Sequence, residues 1–257
     1  MAEKDKSLSS PIPSSVDKAL ENLTDGPTKE IGNTLSDIFF LVFGRIHQAA
    51  KKRQLKYDIA YKNYQNEILY KASQIPETNL VYPDLQIVGP ALDASKYCIE
   101  KKSIRQMFVN LITATMDSSK CDFVRPSFAH TISQLLPLDA QNIALFRTDP
   151  VLPLAVYSLK LDDGIRIRVL KTNVFLSNPQ EQDINKQASS IASLMHLGLL
   201  DFGFNQSLPA SAYDIFYKEP YFLSMKAIHD KQLLLEKAEA QLTPFASEFL
   251  KVCLDGE

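Results

Sequence analysis

Apolar residues recur every three or four positions through the first half of the chain, which is the period of an amphipathic helix. The predicted helices cover 35–72, 83–97 and 103–116. A fourth helix is predicted to begin at Pro126, and a fifth is predicted to have Asp139 as its N-cap. The first of them ends where Ile75 precedes Pro76, because a residue before proline disfavours the helical conformation. Residues 31–150 are therefore predicted to form a helical bundle that contains one long helix.

After residue 150 the pattern changes to short runs rich in β-branched residues. Two such runs, 154–161 and 165–175, flank Asp162-Asp163-Gly164. The second run alternates apolar and basic positions, and the tripeptide between the runs is typical of a tight turn. This arrangement predicts a β-hairpin.

A capped helix is predicted directly after the hairpin. Asn178 has the position of an N-cap, Pro179 that of the first helical residue and Glu181 that of a capping-box partner, and the helix should close near Gly198. Downstream, the pattern predicts a helix over 221–229, a two-stranded wing over 232–236 and 239–242, and a last helix from Pro244 capped by Thr243. Residues 151–257 are therefore predicted to form a winged-helix-like module.

The predicted fold class is mainly α, with the N-terminal helical bundle followed by the small α/β winged-helix-like module. Residues 1–30 are expected to be a disordered or loosely packed tail, because the start of the chain is polar. The three segments of this prediction are 1–30, 31–150 and 151–257.

Composition limits the classes of partner and compartment. With 45% hydrophobic residues and a net charge of −2 over 257 residues, the chain can bury a core and has no global charge to attract nucleic acid or anionic membrane. Cys98, Cys121 and Cys253 lie far apart, which argues against a disulfide framework and a zinc site. The N-terminus lacks the apolar stretch of a secretory signal, so a cytoplasmic protein is predicted.

Sequence motifs for catalysis are not found in the chain. The phosphate-binding patterns GxxxxGK[ST] and GxGxxG and the nucleophile motif GxSxG do not occur. The four histidines lie on different predicted helices without a metal-binding spacing. We therefore predict no catalytic residues, no metal and no cofactor, and a protein that is not an enzyme. An enzyme whose site is assembled from dispersed residues stays an open alternative.

An apolar run followed by a basic segment is the most informative local feature. The run Ile38–Phe43 is apolar at every position, so one core contact cannot easily cover it, and exposed apolar patches normally mark contacts. The basic segment fits a solvated helix face, an anionic membrane surface or nucleic acid. The candidate interaction surface consists of Phe39, Phe40, Phe43, Lys51, Lys52 and Arg53.

Several motifs follow one another in a fixed order along the chain; they include Arg105, Met107-Phe108, Asn110–Ile112, Ala114–Asp117, Pro126–Phe128, Gln134-Leu135, Pro137–Ala140, Leu197–Leu200 and Leu242–Phe245 with Phe249 and Cys253. As an ordered set they resemble the abortive-infection alpha (Abi-alpha) family of bacterial phage-defence proteins. The family pattern usually has glycine where this chain has Ala246. The resemblance implies a cytosolic defence protein and supplies no catalytic residues.

The predicted function is a non-enzymatic, abortive-infection type of phage defence that acts through protein or membrane-surface contacts. The expected partner is another protein or a further copy of the chain, with peripheral contact to the inner face of the membrane as an open alternative. The rival prediction is a winged-helix regulator that binds nucleic acid.

Overall fold

The computed structural model describes residues 32, 34, 37–39, 51–161, 167–204 and 207–254, and the side chains of 51–55 lie outside this set. The described helices are α1 (Lys51–Ala72), α2 (Leu85–Ser95), α3 (Lys102–Ala114), α4 (Ser127–Gln134), α5 (Pro137–Leu145), α6 (Ile184–His196), α7 (Pro220–His229) and α8 (Pro244–Cys253). The strands are β1 (Val151–Lys160), β2 (Ile167–Val174), β3 (Leu200–Gly203) and β4 (Leu233–Leu242).

The four strands form one antiparallel sheet in the order β2-β1-β4-β3. Neighbouring residues of a strand point to opposite faces of the sheet. Accordingly Leu154 packs into one hydrophobic cluster, and Ala155 and Tyr157 pack into another. Burial on both sides explains why β1 is a nearly continuous apolar run.

The larger cluster, called the main cluster, joins helices to the sheet. It includes buried residues of α1 to α6 and α8, together with Ala238 and Ala240 of β4. Phe249 of α8 contacts Phe128 of α4 edge to face, with 5.3 Å between ring centroids. The smaller group, called the second cluster, consists of Ala155, Tyr157, Val174, Ile184, Tyr213, Phe216 and Phe222.

The predicted architecture of a helical bundle followed by a winged-helix-like module is wrong. The residues predicted as a two-stranded wing form one strand, β4, which lies inside the sheet between β1 and β3. No glycine, proline, asparagine or aspartate interrupts β4, so nothing turns the chain there. The last helix, α8, packs on α3 rather than on a wing, so the helices and the sheet share the main cluster.

Other local predictions have mixed outcomes. The hairpin is confirmed, because β1 and β2 pair antiparallel. The Thr243 cap is confirmed too, since its Oγ1 accepts a hydrogen bond from the backbone N of Ala246 at 3.0 Å. The predicted start at Asn178 is wrong: Asp183 caps α6 by accepting from the backbone N of Asn185 at 2.8 Å. Gly198 ends that helix with a φ of 69°, as predicted.

The predicted boundaries near residues 30 and 150 stay predictions. The predicted turn at 162–164 and most of residues 1–50 lie outside the described residues. Within the described part of the chain, no helix is both long enough and apolar enough to cross a bilayer.

Candidate binding groove

The short junction between α4 and α5 forms the first wall of a groove. The Leu135 and Leu136 backbone is extended, and Pro137 begins α5. The buried Asp139 lies in the first turn of α5, where its Oδ2 accepts a hydrogen bond from Leu136 N at 2.8 Å. It therefore fixes the junction from inside the helix and does not serve as the predicted N-cap. Leu136 is left 58% exposed.

The second wall is one face of α6. Asn185, Ser189 and Ser193 are spaced by four residues and therefore lie along the same side of the helix. Ser190 also lines the groove, although it is 96% covered. This wall offers hydroxyl and amide groups opposite the apolar junction.

One ion pair stands at the start of α6. The Glu181 carboxylate accepts hydrogen bonds from the backbone N of Asp183 at 3.0 Å and from Lys186 Nζ at 3.1 Å. The backbone hydrogen bond first and then Lys186 hold the pKa of Glu181 below its ordinary value. The charged residues that line the groove are Asp139, Glu181 and Lys186, so the lining has no net positive charge to attract an anion.

A buried network of polar side chains lies beneath the groove. Asn142 of α5 donates through Nδ2 to Gln187 Oε1 at 2.8 Å and to Ser190 Oγ at 2.9 Å. Asn178 Nδ2 donates to Asn142 Oδ1 at 2.7 Å. Gln187 Nε2 in turn donates to the carbonyl of Glu181 at 3.0 Å. Since buried polar groups need partners, this network sets the position of α6 against α5.

The groove has a volume of about 600 Å³. Cavities of this size that combine apolar walls with a few polar groups are typical of binding sites. Leu136, Pro137 and Leu138 can cover an apolar group, and the hydroxyls of Ser189 and Ser193 can donate to backbone carbonyls of an occupant. The arrangement suits a mainly apolar ligand with hydrogen-bond acceptors.

The surface predicted from the sequence lies elsewhere, and only part of it is described. Phe39 is 3% exposed and packs edge to face against Tyr61 and Tyr64, at centroid distances of 5.9 and 5.7 Å. Phe40 and Phe43 lie outside the described residues. The backbone of 51–53, which carries Lys51, Lys52 and Arg53, belongs to α1, and these side chains lie outside the described set. The surface as a whole stays a prediction.

The described residues offer little for metal or thiol chemistry. No group of three or more His, Cys, Asp or Glu side chains in the described ranges could hold a metal ion. Burial raises the pKa of the Cys253 thiol well above its ordinary value, so this thiol is protonated at neutral pH. Cys253 is a packing residue of the main cluster.

The sequence contains a signal for the groove, although the predicted interaction surface does not include it. Gln134 and Pro137–Asp139 belong to the segments that carry the family resemblance, and they line the groove. On α6, Ser189 and Ser193 stand at helical spacing on the face opposite the buried Ile191. Nothing in the sequence pairs these two segments, because their contact depends on the packing of α5 on α6.

The described fold is that of an α+β protein with a groove between the α4–α5 junction and α6. Comparison with known proteins gives it a family. The chain belongs to the Abortive infection alpha family, whose model matches residues 56–253. Family membership assigns the protein to abortive infection, a defence against phage, and confirms the resemblance seen in the sequence. No curated protein and no solved structure matches the chain.

Proposed function

We propose that the protein acts in abortive infection as a non-enzymatic component that holds an apolar protein segment in the groove between the α4–α5 junction and α6. The observation that carries this proposal is the exposed Leu136 beside Pro137, opposite the hydroxyl-bearing face of α6. Apolar surface of this kind, bordered by polar groups, is typical of protein contacts.

The buried network supports the proposal in a second way. A binding site needs walls that keep their position, and hydrogen bonds from Asn142 to Gln187 and Ser190 tie the two walls together. The occupant therefore meets a preformed groove and loses little free energy in ordering it.

Substitution of Leu136 tests the proposal. Burying a leucine side chain contributes about 1.5–3 kcal/mol, so Leu136→Asp should weaken binding roughly ten- to a hundredfold. Plaque counts on cells that express the variant should rise toward those on unprotected cells. Thermal unfolding should change little, because Leu136 is largely exposed.

Ile228→Asp is the matched control, because Ile228 is a 71% exposed aliphatic residue of α7, outside the groove. This variant should protect cells as well as the unaltered protein does. Equal protection by both variants would show that the groove is not the site of action.

Membrane-surface contact through Lys51, Lys52 and Arg53 is the alternative mechanism, and its support is the sequence pattern. Changing all three to Glu should weaken binding to anionic vesicles in a salt-dependent way, since each cation near such a surface contributes about 1 kcal/mol. The nucleic-acid alternative loses the support of a winged helix with the corrected fold, and its remaining support is the basic segment.

A further inference from the structure

One carboxylate among the residues that line the groove is almost fully buried. Asp139 is 2% exposed, and its Oδ2 accepts the hydrogen bond from Leu136 N that fixes the α4–α5 junction. In the part of the chain that the structure describes, no hydrogen bond or ion pair reaches its Oδ1. Because polar atoms of buried side chains normally have partners, this oxygen is an acceptor that an occupant of the groove can use.

The charges along the groove favour a cation at this oxygen. Lys186 pairs with Glu181 at 3.1 Å, and no ion pair within the described ranges includes Asp139. The negative charge of Asp139 is therefore left without a cation beside it. The start of α5 carries only about half a unit of positive charge, which a full carboxylate charge outweighs.

An apolar wall stands directly beside the carboxylate. Leu136, Pro137 and Leu138 precede Asp139 in the chain and line the same groove. Lysine and arginine have long apolar stems that pack along such a wall while the charged end reaches a polar group next to it. A side chain of this kind matches both features, whereas a purely apolar side chain would cover the carboxylate and leave it without a partner.

We propose that the segment held in the groove is apolar and carries one lysine or arginine, whose charged end binds the Asp139 carboxylate. The inference rests on the proposed function, because it names the chemistry of the occupant of the same groove. Ser189 and Ser193 on the α6 wall donate to the backbone of the segment, and Asp139 selects its basic residue. Purely apolar segments are rejected because they bury this charge unpaired.

Selection from a library of short random peptides on the full, unaltered chain tests the chemistry of the occupant. Peptides that bind this chain but not Leu136→Asp should be rich in a lysine or arginine flanked by apolar residues. Enriched peptides that lack a basic residue overturn the inference and retain the groove as a site for apolar segments. If no enriched peptide depends on Leu136, the inference and the proposed function are both overturned.

Asp139→Asn tests the carboxylate itself. Asparagine keeps an oxygen that can accept from Leu136 N, and the negative charge is removed. The best basic peptide should bind this variant roughly ten- to a hundredfold more weakly, because a charge-assisted hydrogen bond is lost. The control Ile228→Asp should bind it as the unaltered chain does. Equal affinity of Asp139→Asn and the unaltered chain overturns the inference.

A change in the peptide gives the same test without altering the protein, and it decides the matter if Asp139→Asn does not fold by circular dichroism. Norleucine in place of the basic residue keeps an apolar stem and removes the charge. Binding to the unaltered chain should weaken by a similar factor, and unchanged binding overturns the inference.

Phage protection separates the inference from the proposed function. If Asp139→Asn loses the basic peptide but protects cells fully, the chemistry of the occupant is supported and the role of the groove in defence is rejected. If Leu136→Asp loses protection while Asp139→Asn keeps both protection and peptide binding, the groove stays the site of action and the basic residue is rejected.

Discussion

The main cluster and the second cluster lie on opposite sides of β1, and they are held together by different means. In the main cluster, α3 is buried at every position from Met107 to Ala114, so this helix is covered on all sides. In the second cluster, α7 contributes one buried residue, Phe222. The first region is stabilised by redundant packing, and the second depends on a few aromatic rings.

Hydrogen bonds add to the stability of the second cluster, which has fewer buried residues than the main cluster. Tyr157 Oη donates to the carbonyl of Phe216 at 3.1 Å, and Tyr213 Oη donates to the carbonyl of Ala238 at 3.1 Å. The Glu219 carboxylate caps α7 by accepting from Tyr221 N and Phe222 N. A region with few apolar contacts and several such anchors should open locally before the main core unfolds.

The largest effect is expected in the main cluster. Phe249→Ala removes a fully buried ring from its contact with Phe128 and should lower the free energy of unfolding by about 3–5 kcal/mol. Urea denaturation measures the change. The exposed Tyr97→Ala is the control, with an expected change within about 0.5 kcal/mol. A loss below about 1 kcal/mol for Phe249→Ala would contradict the assignment of this ring to the core.

Phe216→Ala makes the matched change in the second cluster, because Phe216 is also fully buried. Its burial contributes about 1.5–3 kcal/mol, so amide exchange in residues 210–229 should become roughly ten- to a hundredfold faster. Amides of α3 should keep their protection, because the main cluster stays closed. Equal acceleration in α3 would mean that the two clusters unfold together.

The buried Glu239 of β4 should make the stability of the fold depend on pH. The carboxylate is fully buried in β4 and accepts from Leu208 N and Ser207 Oγ, each at 2.8 Å. Burial by itself raises the pKa of Glu239, but these hydrogen bonds outweigh it and place the pKa below the ordinary 4.5. Stability from this group is therefore complete above that value and is lost as the pH falls through the lowered pKa.

Glu239→Gln should cost about 1.5–3 kcal/mol near neutral pH, because it weakens charge-assisted hydrogen bonds. Unfolding measured between about pH 6 and pH 3 should show a smaller acid-dependent loss in the variant than in the unaltered protein. The same acid dependence in both proteins would show that Glu239 does not stay ionised in the fold.

The smallest effect is expected at the start of α6, which reaches both clusters through Ile184 and Ile191. Asp183→Ala removes the cap and should cost about 1 kcal/mol, measured by thermal unfolding. Asp183→Asn is the control, because asparagine caps a helix about as well. If the alanine variant is as stable as the asparagine variant, the helix does not depend on this cap.

The start of α6 also shows where sequence reasoning succeeds and where it stops. Asn178 and Asp183 are both good N-cap residues, and each accepts a backbone hydrogen bond from two residues ahead, from Gln180 and Asn185 respectively. Their local chemistry does not separate them. Asn178 also donates through Nδ2 to Asn142 in the buried network, and the helix begins only after Asp183.

The sequence by itself determined the features that depend on near neighbours. Helical periodicity located α2, α3 and α4, the Thr243 cap located α8, and the alternating run located the hairpin, because these signals act over a few residues. The ordered motifs also identified the family.

The tertiary structure decided what depends on distant partners. Leu233–Leu242 became a central strand because β1 and β3 lie on its two sides. The lack of a turn residue within it argues against a two-stranded wing but does not place the strand in the middle of the sheet. The groove exists because the α4–α5 junction meets α6, and each wall taken alone looks like an ordinary helix end or a solvated face. Pairing energies between segments so far apart in the chain are set by packing, which local sequence patterns do not encode.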